Sequence, residues 1–364
     1  MVLVLVLGGG LGWIVHQAKV QRDAVDAITR IEGGSIAYDW QFRPDRTFDP
    51  QGKPLAPKWL VDWLGPDYFG HVVWVHLGKQ SGDAEMAHVL RLPRLVTFSD
   101  VGSGITDAWA VHLGDLPELE EVTLFDAKHV TGATLAGMSR LARLKSLRVH
   151  GIPVRDDDLA ALAGLTSLQT LGLFSTKITD AGLAHLQGLV GLQTLRLDGN
   201  AITGAGLVHF RGMTNLNMLS LCLTQVADLK PLVGLTKLQF LYLLKTPITD
   251  SGLAPVAKSV NLRNLILQDT AITDAGLSPL RKLSKLDVLD LTQTRITDTG
   301  LAALGEHPPI GVVIDLWGTA VTDAGIDLLE GWSKLRFLHV LGNHFTSDRL
   351  DSLSKSRPGL SIQR

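Results

Sequence analysis

The residue types in this chain that can do chemistry are few and widely spaced. There is one cysteine, Cys222. A thiol attacks as its thiolate and needs a base within reach, yet no histidine stands at a suggestive spacing from Cys222. A lone cysteine also excludes an internal disulfide and a cysteine-based zinc cluster. Of the 12 histidines, His112, His185 and His209 share one position of a recurring pattern, but only His185 and His209 fall in neighbouring copies. Zinc takes three or four ligands, so exposed histidines are the better reading. Asp180, Asp250, Asp274, Asp298 and Asp323 also recur at one position. Such a row could be imagined to hold calcium, but one carboxylate per copy at the start of a short helical segment is what helix N-capping uses. Gly8 to Gly12 lie in an apolar run rather than between a strand and a helix, which excludes a phosphate-cradling loop there. The expectation is no catalytic residue, no metal and no cofactor.

The element that positions all of these residues is a repeat. Leu168 to Gly191 (LQTLGLFSTKITDAGLAHLQGLVG) is followed from Leu192 by LQTLRLDGNAITGAGL, giving the pattern LxxLxLxx(T/N)x(I/V)TDAGLxxL. The branched residue before TD recurs as Ile105, Val130, Val154, Ile178, Ile202, Val226, Ile248, Ile272, Ile296 and Val321, with Gln80 a degenerate first member and Phe345 the last. From Ile105 on, the steps are 24 or 25 residues except one of 22. Within a copy, Leu171 and Leu173 alternate as a strand does, which turns Thr170, Gly172 and Phe174 outward. The fold class is therefore α/β: a solenoid of about twelve copies over residues 71–347, a curved horseshoe with a parallel concave sheet and short convex helices. Strands about 4.8 Å apart would make an inner wall on the order of 50 Å long. Thr176, Asn200, Thr224, Thr246, Thr270, Thr294, Thr319 and Asn343 follow the strands, where a side-chain oxygen can satisfy backbone amides leaving the sheet. The glycine of TDAG implies close backbone contact between copies.

Composition agrees with a large core and narrows the partners. Hydrophobic residues make up 45% of the 364 and charged residues 19%, which excludes extensive disorder. Formal net charge is −2 with Lys and Arg scattered, so no continuous basic face exists and nucleic acid is excluded as a partner.

The ends differ from the array. Residues Met1 to Val15 are uncharged and apolar, and residues 1–16 read as a single-pass transmembrane segment, shorter than the roughly 20 residues a span needs. That shortfall suggests that basic residues precede Met1 in the native product, and it leaves the side of the membrane open. A buried first helix of the repeat domain is the alternative. Residues 17–34 form an amphipathic helix through Val20, Ala24, Ala27, Ile28 and Ile31, ended by Gly33 and Gly34. Residues 35–70 are a linker and N-terminal cap, with a strand in Ser35 to Trp40, a proline-rich loop to Pro57, and Trp59, Trp63 and Tyr68 placed to cover the end of the core. Residues 348–364 close the other end with a strand in GLSIQR.

Recognition would fall to outward strand positions, which the core leaves free to vary. Met218 and Cys222, with Ser220 between them, stand beside Phe240, Tyr242 and Leu244, and Ile266 follows on the next strand. Apolar patches with aromatic anchors mark partner sites, although stray apolar residues on such repeats are the plain alternative. The 22-residue step lies here, where VADLKPLVGL replaces TDAGL and Pro231 breaks helix geometry. Further outward candidates are Arg148 and His150 beside Phe174, Arg196 with Asp198, and Asp290, Asp315 and Trp317.

Over about residues 72 to 347 the pattern resembles the leucine-rich repeats of bacterial proteins and of eukaryotic F-box proteins. The apolar start, QRDAVDAITRIEGGSIAYDWQF and KWLVDWLGPDYFGHVVWVHL together resemble membrane-anchored leucine-rich-repeat proteins of planctomycete bacteria. The resemblance implies a binding scaffold, and with the outward residues above the expectation is a monomeric, non-catalytic array that binds a protein or peptide on its concave face. It supplies no catalytic residues to carry over. Two other readings stay open: a cell-envelope glycan binder or structural protein using Trp74 and Trp317, and an adaptor in protein turnover, although no F-box-like domain precedes the repeats.

Overall fold

The computed structural model describes residues 2–102, 104–305, 312–343 and 345–364, and their side chains apart from those of residues 2–10, 110 and 111. It divides into two compact units, Met1–Val154 and Arg155–Arg364.

The sheet of the first unit has strands β1 (Ser35–Tyr38), β2 (Val72–Leu77), β3 (Thr97–Val101), β4 (Glu121–Phe125) and β5 (Ser146–His150). From β2 to β5 the strands are parallel and in register, with Trp74 opposite Thr97, Thr97 opposite Glu121 and Glu121 opposite Ser146. Alternation turns Val75, Leu77, Phe98, Val122, Leu124, Leu147 and Val149 inward, and all are buried. Strand β1 pairs antiparallel with β2 and forms the edge.

Helix α1 (Val2–Thr29) runs unbroken through the boundary expected at residue 16. Its second half carries Lys19, Arg22, Asp23 and Asp26, charges that are costly in hydrocarbon. It also buries Ala18, Ala24 and Ile28. Gln21 donates to the Gly70 carbonyl at 2.9 Å and accepts from the Val72 N–H at 3.0 Å, tying the helix to the start of β2. The Tyr38 hydroxyl donates to the buried Asp67 carboxylate at 2.9 Å; burial, then that neighbouring charge, push its pKa well up. No helix among the described residues is long and apolar enough to cross a membrane. This overturns the single-pass anchor and the membrane localisation expected from residues 1–16. The uncharged run ends at Val15 and the helix continues as a charged, packed element.

The cap also differs in detail from expectation. Trp59 and Trp63, on helix α2 (Lys58–Leu64), are exposed, and the side chains buried at this end include those of α1 and β1 and Asp67. The proline-rich loop is held by Arg46, which donates to both oxygens of Glu120. That carboxyl is 3% exposed and also accepts from Lys145 at 2.9 Å. The Arg46 hydrogen bond, opposed by burial and reinforced by Lys145, pulls its pKa down to about 2.

Among its described residues the second unit contains nine strands: β6 (Thr170–Phe174), β7 (Thr194–Arg196), β8 (Met218–Ser220), β9 (Phe240–Tyr242), β10 (Asn264–Ile266), β11 (Val288–Asp290), β12 (Val313–Asp315), β13 (Phe337–His339) and β14 (Ser361–Gln363). Each pairs in parallel with the next, without a register shift. The branched anchors from Ile178 to Val321 are fully buried, as their spacing predicts. This is a leucine-rich-repeat fold. Past the last of these helices Arg357 donates to the carbonyls of Glu330, Trp332 and Leu335 at 3.0 Å each, satisfying backbone acceptors of the preceding copy.

The recurring aspartate does not cap its own helix. In most joints of the second unit its Oδ1 accepts the backbone N–H of the next copy's threonine at 2.7–2.9 Å, and its Oδ2 accepts that threonine's hydroxyl at 2.5–2.8 Å. The threonine is the cap: Thr179, Thr297 and Thr322 accept from the N–H two residues on. The TDAG glycine leaves room for this carboxylate, since a methyl group on Gly276 would stand 2.5 Å from Asp250 Oδ1. The threonines after the strands likewise reverse their expected role, because Thr224, Thr246, Thr270 and Thr294 donate to carbonyls three residues back at 2.5–2.7 Å.

The clamp fails at the 22-residue step. At that step Asp228 turns to accept from Lys230 N–H at 2.9 Å, and at the 24-residue step before it Gly204 and Ala227 stand where the aspartate and threonine would be. An open cleft of about 450 Å³ lies there, lined by Gly204, Ala227, Asp228 and Pro231 among others.

Candidate binding surface

Pairing in register arranges the outward side chains of the second unit in rows that run across the strands. The first row is Met218, Phe240, Asn264, Val288, Val313 and Phe337. The second is Arg196, Ser220, Tyr242, Ile266, Asp290, Asp315 and His339. A third, at the end of β6 and just past the ends of the other strands, holds Phe174, Asp198, Cys222, Leu244, Gln268, Thr292, Trp317 and Leu341, linked by backbone bonds such as Gly199 N–H to Cys222 carbonyl and Leu223 N–H to Leu244 carbonyl, at 2.8–2.9 Å.

Met218, Cys222, Phe240, Tyr242, Leu244 and Ile266 come together on neighbouring strands, each half-buried. Ser220 does not join them: it is buried and donates to Asp198, whose Oδ1 also accepts the Cys222 N–H at 2.9 Å. Burial pushes the Cys222 thiol up, so the thiolate needed for attack is disfavoured. Arg196 lies 4.6 Å from the Phe174 ring centroid, with its Nε 3.5 Å from Asp198. Asp290 and Asp315 face each other across β11 and β12. Burial, then the Asp315 charge, raise the Asp290 pKa. Asp315 Oδ2 is 2.9 Å from His339 Nδ1, and Trp317, 42% exposed, follows in the adjoining turn.

Arg148 and His150 belong to the first unit, where Arg148 is exposed and the His150 ring stacks on Phe125 at 4.2 Å with Nδ1 3.1 Å from Asp126. Trp74 stacks on His76 and borders a cleft of about 400 Å³ with Arg43, Arg46, Thr97 and Glu121. Among the described residues no group of three or more His, Cys, Asp or Glu is placed to hold a metal ion.

The residues that sequence reading missed are Val288, Val313 and Phe337, which extend the first row, and His339 and Leu341 at the same end. The signal was the second variable position of LxxL, apolar in five of the six copies from Met218 to Phe337.

A leucine-rich-repeat family model matches residues 258–280 and 282–305. No curated protein matches the chain in sequence. Among solved structures, an internalin of Listeria monocytogenes is similar with a TM-score of 0.61 and 23% identity, covering 80% of this chain and 86% of its own. A leucine-rich-repeat protein of Leptospira interrogans is similar with a TM-score of 0.54 and 18% identity, covering 79% and 75%. A chain from the octameric complex of latrophilin 3, Unc5D and FLRT2, in which FLRT2 contributes leucine-rich repeats, is similar with a TM-score of 0.53 and 16% identity, covering 74% and 84%.

Proposed function

We propose that this chain is a non-catalytic protein-binding scaffold and that its partner docks on the outward face of the sheet in the second unit. The observation that carries the reading is the row Met218, Phe240, Asn264, Val288, Val313 and Phe337, apolar in all but Asn264, held in register and flanked by Tyr242 and Ile266. Side chains in such a row keep their area available to a partner, because the core is already filled by the leucines between them. Phe240 and Tyr242 are the anchors, being large, rigid and partly exposed. Similarity in fold to a chain from an assembly of several proteins supports a role of this class.

The double substitution Phe240→Asp with Tyr242→Asp should leave the melting profile close to wild type and remove the proteins captured from native extract by the full chain, with affinity falling by about two orders of magnitude. An unchanged set of captured proteins would exclude this patch.

A further inference from the structure

The face just described is chemically lopsided, and its asymmetry specifies the segment that would fit it. In the second row the order Tyr242, Ile266, Asp290, Asp315, His339 is fixed strand by strand. One end is apolar, and the other carries two carboxylates directly opposite each other, an arrangement that is destabilising in a sheet unless a cation offsets it. The available partners do not fully offset it. Asp290 Oδ1 accepts the Thr292 N–H at 2.9 Å, and the Thr292 hydroxyl also hydrogen-bonds to this carboxylate, but neither partner brings a positive charge. Asp315 accepts the Trp317 N–H at 3.1 Å and meets His339. Across all three rows from β8 to β13 no outward position is Lys or Arg. The nearby basic residue Arg263 is already paired with Asp287 at 2.9 Å, and Lys245 lies 3.8 Å from Asp269.

Resting on the docking reading above, we infer that the bound segment is an extended peptide stretch of a partner protein with an apolar side chain on Phe240 and Tyr242 and a lysine or arginine four residues away, seated between Asp290 and Asp315. The spacing follows from geometry. Tyr242 and Asp315 are three strands apart, roughly 14 Å at about 4.8 Å per strand. An extended chain advances about 3.4 Å per residue and presents alternate side chains to one face, so the fourth residue reaches that distance on the correct side. Trp317 stands in the turn after Asp315, where its ring can meet the cation's stem or charge.

The test uses the full chain and three pools of immobilised decapeptides, each with leucine at position 3, serine, threonine and glycine at the remaining positions, and arginine, glutamine or glutamate at position 7. Expected is retention by the arginine pool at least about 10-fold above the glutamate pool, an advantage that shrinks as salt rises from about 0.05 to 0.5 M. Asp290→Asn with Asp315→Asn should bring the arginine pool to the level of the glutamine pool while leaving the melt no lower than wild type. Equal retention of all three pools, lost on Phe240→Asp with Tyr242→Asp, would overturn this inference and leave the docking reading standing. An arginine preference that survives the double asparagine variant would also overturn it. Retention of no pool would overturn both.

Discussion

Two kinds of joint hold the second unit together, and they differ in what they leave free. Where the pattern reads TDxG, as from Asp250 through Asp298, each copy grips the next through a carboxylate that takes both the amide and the hydroxyl of a threonine. At the 22-residue step that grip is absent, and the connection relies on Leu229 and Leu232, both buried, and on a Leu229 N–H bond to Gly252 carbonyl at 3.1 Å. The strands on either side of this ungripped connection are β8 and β9, which carry Met218, Phe240 and Tyr242. The contrast teaches that the convex side can lose its regular polar fastening without disturbing the face across the core, because sheet pairing alone keeps Met218 opposite Phe240.

Breaking the joints one at a time gives the largest expected difference. Asp274→Ala leaves the Thr297 amide and hydroxyl without their acceptor and should cost about 2–3 kcal/mol in urea unfolding. Asp228→Ala, at the ungripped joint, should cost less than about 1 kcal/mol. Similar losses at both sites would show that the two joints do not differ in strength. The glycines sharpen the same point. Gly276→Ala drives a methyl group against the Asp250 carboxylate and should cost about 1–2 kcal/mol, whereas Gly234→Ala meets nothing within 4 Å and should be neutral or stabilise by about 0.5 kcal/mol.

Acid provides the smallest and most local probe. Asp107, which grips Thr131 in the first unit, is raised by burial but lowered more by hydrogen bonds from Thr131 and Thr134, so its folded pKa lies below its ordinary value. A depressed carboxylate stabilises the fold above its unfolded pKa, and that contribution is lost as pH falls through the folded value. Hydrogen exchange should therefore show the Thr131 amide losing protection as pH drops below about 4, while the Ala227 amide, opposite which Gly204 stands in place of the aspartate, keeps a pH dependence set by intrinsic exchange alone. Parallel behaviour of the two amides would remove the acid-labile grip.

The buried skeleton was legible in the sequence because a branched residue at fixed spacing meets the same environment in every copy. Ile178, Ile202 and Ile272 needed no knowledge of their neighbours. Features that depend on the next copy were read less well. The aspartates looked like local caps because their threonine partners lie 23 or 24 residues on. The row through Val288 and Val313 is invisible strand by strand, since one valine on one strand makes no surface. Ser220 points outward by parity yet is covered by Asp198 from the preceding copy. The N-terminal run misled for a related reason: hydropathy over fifteen residues ignored the charged turns that continue the same helix onto the first strands.

The preserved register across the short step has a consequence for how such a chain can change. A loss of two residues on the convex side shifted no outward side chain relative to its neighbours, as Ser220 still faces Tyr242 and Tyr242 still faces Ile266. Insertions and deletions are therefore absorbed on one side of each copy while single substitutions rewrite the other. A designer could vary the length of a convex segment, or exchange it for another, and inherit the same recognition pattern; equally, a new specificity could be written on the sheet without touching the residues that stack the copies.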